Sequence, residues 1–314
     1  MKILKHIHII LAIVLSTSSA GYGQYMKTGY ITVKGGNVWY KIIGNSHKTP
    51  IVMLHGGPAS ASFYLWPLQP LGKDRPVIMF DQLGCGHSDE LYDTTLMTIE
   101  SYVEQTHTLL DSLNIKEFYL YGHSWGTMLG IDYYLKYPEG VKGLILASPC
   151  LDTKRWSSDA DTLIARLPEN YAQILNAFKN NKQVDPKDMG SAMKAYFDTY
   201  YILFPMNDND FDTIAPIDGS HIYEYMWGVN EFTPQGLLKN YDRTKELSQV
   251  MVPTLYLSGE FDAVRQSTML YYQQCTPGSY LEIIPKAGHL TMRDNPEENI
   301  RIILEFIRII EQKP

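Results

Sequence analysis

Short apolar runs ending in polar residues or glycine recur along the chain. They fall at 51–57 (IVMLHGG), 76–82 (PVIMFDQ), 117–122 (EFYLYG), 141–149 (VKGLILASP), 253–262 (PTLYLSGEFD) and 280–289 (YLEIIPKAGH). The runs at 51–57, 76–82 and 141–149 predict buried strands, as in a parallel sheet, and the other three read as further strands of the same rhythm. Residues 29–43 read as two further strands around Gly35 and Gly36, a hairpin signal. Between Thr98 and Leu113 the apolar positions are Ile99, Tyr102, Val103, Leu109, Leu110 and Leu113. That spacing predicts a helix with Thr98 as its N-cap. A second helix is predicted from Met128 to Tyr137, stopped by Pro138, and an amphipathic one from Pro296 to Ile310.

Residues 150–250 break this rhythm. They are rich in Tyr, Trp, Met, Asn and Asp and contain no short strand-like run. The stretches 164–180 and 190–204 have helical character. Strands alternating with helices predict an α/β fold, a mostly parallel sheet with helices on both faces. The middle block then reads as an inserted helical cap over 150–250, with the sheet domain formed by 24–149 and 251–314. Ligands in such sheets bind beyond the carboxyl ends of the strands, the edge that an insertion after 141–149 would cover.

Residues 1–23 are expected to stand outside the fold. Lys2 and Lys5 precede an apolar stretch from Ile7 to Leu15, followed by small residues. This is the layout of a signal peptide, with cleavage after Ala20 or Gly23 and a secreted or periplasmic product. An uncleaved anchor is the competing reading. The apolar run is short for a membrane span, and none is expected once the signal is removed. The His6/His8 pair would leave with the signal.

Composition narrows the function. The chain has 314 residues, 45% hydrophobic and 19% charged, with a net charge of −7. An acidic chain without a long basic run argues against nucleic acid as a partner. Cys85, Cys150 and Cys275 are too few for a disulfide framework. Nothing has the spacing of a zinc site, and no metal or cofactor is expected. The sequence carries no signal for an oligomeric state.

The chemistry gathers around YGHSWG, residues 121–126. Gly122 and Gly126 flank Ser124 at two positions either side, between a predicted strand and a predicted helix. That is the pattern of a nucleophile elbow, in which small neighbours let strand and helix approach. Asp262 follows the 253–259 strand, and His289 follows the 280–285 strand. Ser, Asp, His is the chain order of α/β-hydrolases. His289 would take the proton of the Ser124 hydroxyl and later return it to the leaving group, while Asp262 fixes the imidazole tautomer. Asp152, after the 141–149 strand, is the competing position for the acid. HGGPAS, residues 55–60, follows a strand and offers backbone donors. Gly57 N–H and Trp125 N–H are the expected oxyanion hole. His123 and His55 are expected to support the elbow and the oxyanion loop, His87 to be an exposed loop residue, and Cys85 to pack.

Together LHGGPA, FDQLGCGHS, GHSWGTMLG, WGVNEFTPQG, SGEFD and AGHLTMRDNPEE resemble the proline iminopeptidases, from about residue 27 to the C-terminus. The resemblance implies an α/β-hydrolase fold with an inserted cap. It implies removal of an N-terminal residue, often proline, from short peptides or small amides with a free N-terminus, without metal or cofactor. It places the triad on Ser124, Asp262 and His289 and the oxyanion donors on Gly57 and Trp125. It assigns binding of the free amino terminus to Glu231 in the N-E-F stretch. Two positions depart from the family pattern. Ala59 stands where HGGPG has its last glycine, and Ala263 stands where some relatives carry a second amine-binding glutamate. Both bear on the strictness of proline preference. A general amidase or esterase with the same triad, and a non-catalytic binding protein on this fold, are the alternative readings.

Overall fold

The computed structural model describes residues 25–204 and 217–312. The segment read as a signal peptide, with the His6/His8 pair, lies outside them. Eight strands form one sheet: β1 (Met26–Val33), β2 (Gly36–Ile43), β3 (Ile51–Leu54), β4 (Val77–Phe80), β5 (Phe118–His123), β6 (Val141–Ala147), β7 (Thr254–Gly259) and β8 (Tyr280–Ile284). Their order is β1-β2-β4-β3-β5-β6-β7-β8. β2 is antiparallel to β1 and β4, and every later pairing is parallel.

The strands β3, β4 and β5 are buried along their whole length, because each face of the sheet has its own apolar layer. Val52, Leu54, Ile78, Phe80 and Leu120 point into one. Ile51, Met53, Val77, Met79, Tyr119 and Tyr121 point into the other. Successive side chains of a strand alternate between faces, so covering both sides requires the continuous apolar runs seen in the sequence.

The helices described are α1 (Ile99–Ser112), α2 (Trp125–Lys136), α3 (Thr153–Ile164), α4 (Glu169–Lys179), α5 (Pro186–Tyr200), α6 (Ser220–Met226), α7 (Gln266–Cys275), α8 (Thr291–Asp294) and α9 (Pro296–Glu311). Thr98 caps α1, its side chain accepting from Ser101 N–H. Ile302, Ile303, Phe306 and Ile307 of α9 are buried in the second layer. Arg301, on the same helix, pairs with Glu298 and Glu305 in solvent.

Between β6 and β7 the helices differ from the sequence reading in their limits. The stretch 164–180 is not one helix: Ile164 ends α3, residues 165–168 form a turn, and α4 begins after Pro168. A proline inside the run lacks the N–H that would continue the first helix. Asp152 starts α3 by accepting from Lys154 and Arg155 N–H, and Asp185 does the same for α5. No helix among the described residues is long and apolar enough to cross a membrane.

Candidate active site

Ser124 joins β5 to α2 with φ 54° and ψ −120°, outside both the helical and the extended regions. Its neighbours show why this turn needs two glycines. A Cβ on Gly122 would stand 2.3 Å from the Gly126 carbonyl oxygen, and one on Gly126 would stand 2.2 Å from the Leu54 carbonyl oxygen. The strand, the helix and β3 approach too closely for any side chain there. The turn is fixed by Ser124 N–H donating to the Ala147 carbonyl (3.0 Å) and by Thr127 N–H donating to the Ser124 carbonyl (2.8 Å). The Ser124 side chain caps nothing and is partly exposed in a cavity of about 280 Å³.

The same cavity is lined by His289, Gly57 and Glu231. His289 follows β8 and is buried. Its Nδ1 lies 2.8 Å from Asp262 Oδ1, and no hydrogen bond joins the ring to Ser124 in this structure. Asp262 follows β7 and is also buried. It accepts Ser148 Oγ–H on Oδ2 (2.6 Å), Gly259 N–H on Oδ2 (3.2 Å) and Val264 N–H on Oδ1 (3.1 Å). Burial alone would raise the Asp262 pKa. The adjacent His289 and the bonds from Ser148 and Val264 overcome it and hold the carboxyl below its ordinary value. Asp152 is instead occupied as the α3 cap. Glu260 faces away, accepting Lys286 N–H at 3.0 Å.

Gly57 has φ 115° in the turn after β3, a conformation that a side chain would strain. Neither Gly57 N–H nor Trp125 N–H donates to a backbone carbonyl among the described residues. Gln82 connects the two segments that carry them. Its side-chain amide donates to the His55 carbonyl (3.2 Å), its carbonyl accepts Trp125 Nε1–H (2.9 Å), and its backbone N–H donates to His55 Nε2 (3.0 Å). His55 Nδ1–H then donates to the Gly56 carbonyl (2.8 Å). Cys85 is buried and donates Sγ–H to the Gln82 carbonyl (3.2 Å). His87 lies in the loop as expected, its side chain 35% exposed, and its ring and backbone are tied to buried Asp81 (3.1 and 2.9 Å).

Glu231 presents its carboxylate between two tyrosines. Tyr201 Oη–H donates to Oε1 at 2.7 Å, and Tyr223 Oη–H donates to Oε2. Its carbonyl accepts Trp156 Nε1–H at 3.0 Å. Burial raises the Glu231 pKa above the ordinary carboxylate value, and the two phenols and nearby His289 oppose that rise. Tyr201 is held at its other end too. Leu290 N–H donates to its carbonyl (2.9 Å), and His289 N–H donates to the carbonyl of Tyr200 (2.8 Å). The contact is close because position 288 is glycine, where a Cβ would meet the Tyr200 carbonyl oxygen at 2.9 Å. The rings of Tyr201 and Trp156 pack on His289 with centroids 4.7 and 5.6 Å away. Ser148, Tyr64, Tyr201, Tyr223 and Trp156 were not singled out from the sequence.

The α/β hydrolase fold family matches residues 49–296. The chain is 37% identical over 285 residues to the proline iminopeptidase of Heyndrickxia coagulans, covering 90% of this chain and 99% of that protein. The chain belongs to the proline iminopeptidase family. It is 33% identical over 285 residues to the proline iminopeptidase of Lactobacillus acidophilus, covering 89% of this chain and 97% of that one. The crystal structure of the proline iminopeptidase of Mycobacterium smegmatis superposes with a TM-score of 0.84 at 25% identity, covering 90% of this chain and 98% of that one. As a member of this family the chain is a hydrolase of the serine-peptidase type. Its two departures from the family pattern have structural correlates. Ala59 sits at φ 63°, in the left-handed region that favours glycine. Its methyl faces Gly219, where a Cβ would come within 2.3 Å of it. Ala263 is buried behind Asp262 and supplies no charge.

Proposed function

We propose that this protein is a secreted serine aminopeptidase that releases N-terminal residues, proline favoured, from short peptides through an acyl-enzyme. Ser124 attacks the carbonyl of the first residue as His289 takes its proton. Asp262 holds the imidazole in the tautomer with a bare Nε2 and stabilises the cation that forms. The oxyanion is met by Gly57 and Trp125 N–H, two amides with no competing backbone acceptor among the described residues. The acyl-enzyme is then hydrolysed by water, with His289 as base again. The 150–250 block serves as the cap, and the signal peptide directs export.

The observation that carries the reading is Glu231. A carboxylate held by two phenols lines the same cavity as Ser124 and His289. A free amino terminus is cationic, and such a carboxylate binds it through charge-assisted hydrogen bonds. An endopeptidase or an esterase for neutral substrates has no use for a charge there. Aminoacyl anilides with free and with acylated amines provide the test. Free prolyl anilide is expected to be the best substrate and its N-acyl form to be refractory. Equal turnover of the two would return the enzyme to a general amidase or esterase. No labelling of Ser124 by a fluorophosphonate would favour a binding protein. N-terminal sequencing of protein recovered outside the cytoplasm tests the export reading, with mature chains beginning at Gly21 or Gln24.

A further inference from the structure

His123 immediately precedes Ser124 and is buried. Its Nε2 lies 2.9 Å from the His289 carbonyl oxygen, and its Nδ1 lies 3.0 Å from Tyr64 Oη. Tyr64 Oη in turn lies 2.5 Å from Gly56 N. The proton positions along this chain follow from what each group can do. A carbonyl oxygen only accepts, so Nε2 of His123 carries a hydrogen. A backbone N–H only donates, so Tyr64 Oη accepts from Gly56. The one phenolic proton is then free for Nδ1 of His123, the bare nitrogen of a neutral ring.

We propose that His123 and Tyr64 are positioning residues that lock the base His289 to the oxyanion loop through one hydrogen-bonded chain, Gly56 N–H to Tyr64 Oη–H to His123 to the His289 carbonyl. This rests on the reading of His289 as the base. The elbow that carries Ser124 supplies the middle link, so nucleophile, oxyanion loop and base are referenced to one another. Protonation of Nδ1 would leave the Tyr64 hydrogen without an acceptor there and break the chain. Burial, and then the neighbouring His289, push the His123 pKa down to about 3, so the ring stays neutral at ordinary working pH. Tyr64 packs edge-on to the His123 ring with centroids 5.4 Å apart, which fixes the hydroxyl's approach.

The bland reading is that His123 fills space. The two readings rank substitutions oppositely. Glutamine keeps an N–H donor near the place of Nε2, whereas leucine keeps only apolar bulk. The experiment compares His123→Gln, His123→Leu, Tyr64→Phe and the double variant His123→Leu/Tyr64→Phe with wild type and Ser124→Ala. It measures kcat and KM on prolyl anilide, the rate of fluorophosphonate labelling, and Tm. Misplacing a reacting group by an ångström costs about 100-fold. We expect His123→Leu and Tyr64→Phe each to lose about 10- to 100-fold in kcat and labelling rate, with KM within about twofold. His123→Gln should retain more activity than His123→Leu, and the double variant should be no worse than its worse parent. Leucine matching glutamine at equal Tm, losses that multiply in the double variant, or wild-type kcat in Tyr64→Phe would each overturn the proposal. If His123→Leu fails to fold, Tyr64→Phe alone decides, since it removes a single oxygen. Wild-type protein that labels no faster than Ser124→Ala would refute the serine-hydrolase reading itself, a different result from variants that label at the wild-type rate.

Discussion

Asp262 and His289 meet at 2.8 Å from the ends of adjacent parallel strands, and the carboxylate is saturated by donors on its other sides. The acid is therefore committed to one tautomer of one imidazole. Asp262→Asn should lower kcat by about 10⁴-fold, because an amide in that place favours the wrong tautomer. Asp152→Asn should leave kcat within about twofold, since asparagine caps a helix as well as aspartate does. Steady-state kinetics on one anilide substrate ranks the two, and the reverse order would move the acid to the start of α3.

Ser124→Ala should lose about 10⁴- to 10⁶-fold in kcat with an unchanged circular dichroism spectrum and Tm, because the covalent path is gone. Activity near wild type in a preparation shown free of contaminating peptidase would remove Ser124 from the reaction.

Ser148 makes a prediction about pH. Its hydroxyl helps hold the folded-state Asp262 pKa below the ordinary value. A depressed carboxyl contributes stability that is present above the unfolded pKa and is lost as pH falls through the folded one. Ser148→Ala should therefore destabilise the protein by about 1.5–3 kcal/mol at neutral pH, and by less in acid, where Asp262 is protonated in both states. Denaturant melts at two pH values check this, and an equal loss at both would assign Ser148 to packing alone.

Glu231→Gln should reduce kcat/KM on free prolyl anilide by at least about tenfold, the worth of one charged hydrogen bond, and leave a small neutral ester nearly unaffected. The sign with pH follows from burial. A raised Glu231 pKa means that the carboxyl takes up its proton earlier as the solution is acidified. On the acid side kcat/KM for free-amine substrates should fall more steeply than for the ester, and Glu231→Gln should remove the difference. Parallel pH profiles in wild type would return Glu231 to a structural role.

Gly126→Ala should fail to fold or unfold well below wild type in a thermal melt. The added methyl meets backbone of β3 at 2.2 Å, which no rotamer change relieves. Retention of wild-type Tm would contradict the turn geometry.

The sheet was readable because burial on both faces forces unbroken apolar runs in central strands such as β3, β4 and β5, and each run of the sequence became a strand, although the edge strand β8 is only partly buried. The elbow was readable for a similar reason, since Gly122 and Gly126 are demanded by backbone contacts and so leave a fixed spacing. Tyr201, Tyr223 and Trp156 left no comparable mark. They come from different elements, sit among many tyrosines that only pack, and meet Glu231 or His289 across 30 or more residues or, for Tyr223, from α6 to the turn eight residues on. Ser148 was hidden for another reason: its partner Asp262 is 114 residues away, so nothing local distinguishes it from any serine after a strand. Pro168 is legible as a proline, but the apolar spacing on either side of it gives the stretch helical character throughout and hides the break between α3 and α4.

Tyr201 touches Glu231 with its hydroxyl and the His289 loop with its carbonyl, so on the proposed roles of those two residues what the enzyme selects and how fast it works are mechanically one variable. On that reading, repositioning Glu231 and Tyr201 to accept a different first residue drags on the loop that carries His289. Changes at Tyr201 or Tyr200 made to redirect the substrate should exact a toll in turnover even where the new substrate fits. Phe63 lines the same cavity but packs edge-on to Tyr64, with ring centroids 6.3 Å apart, so a change there should carry a similar toll.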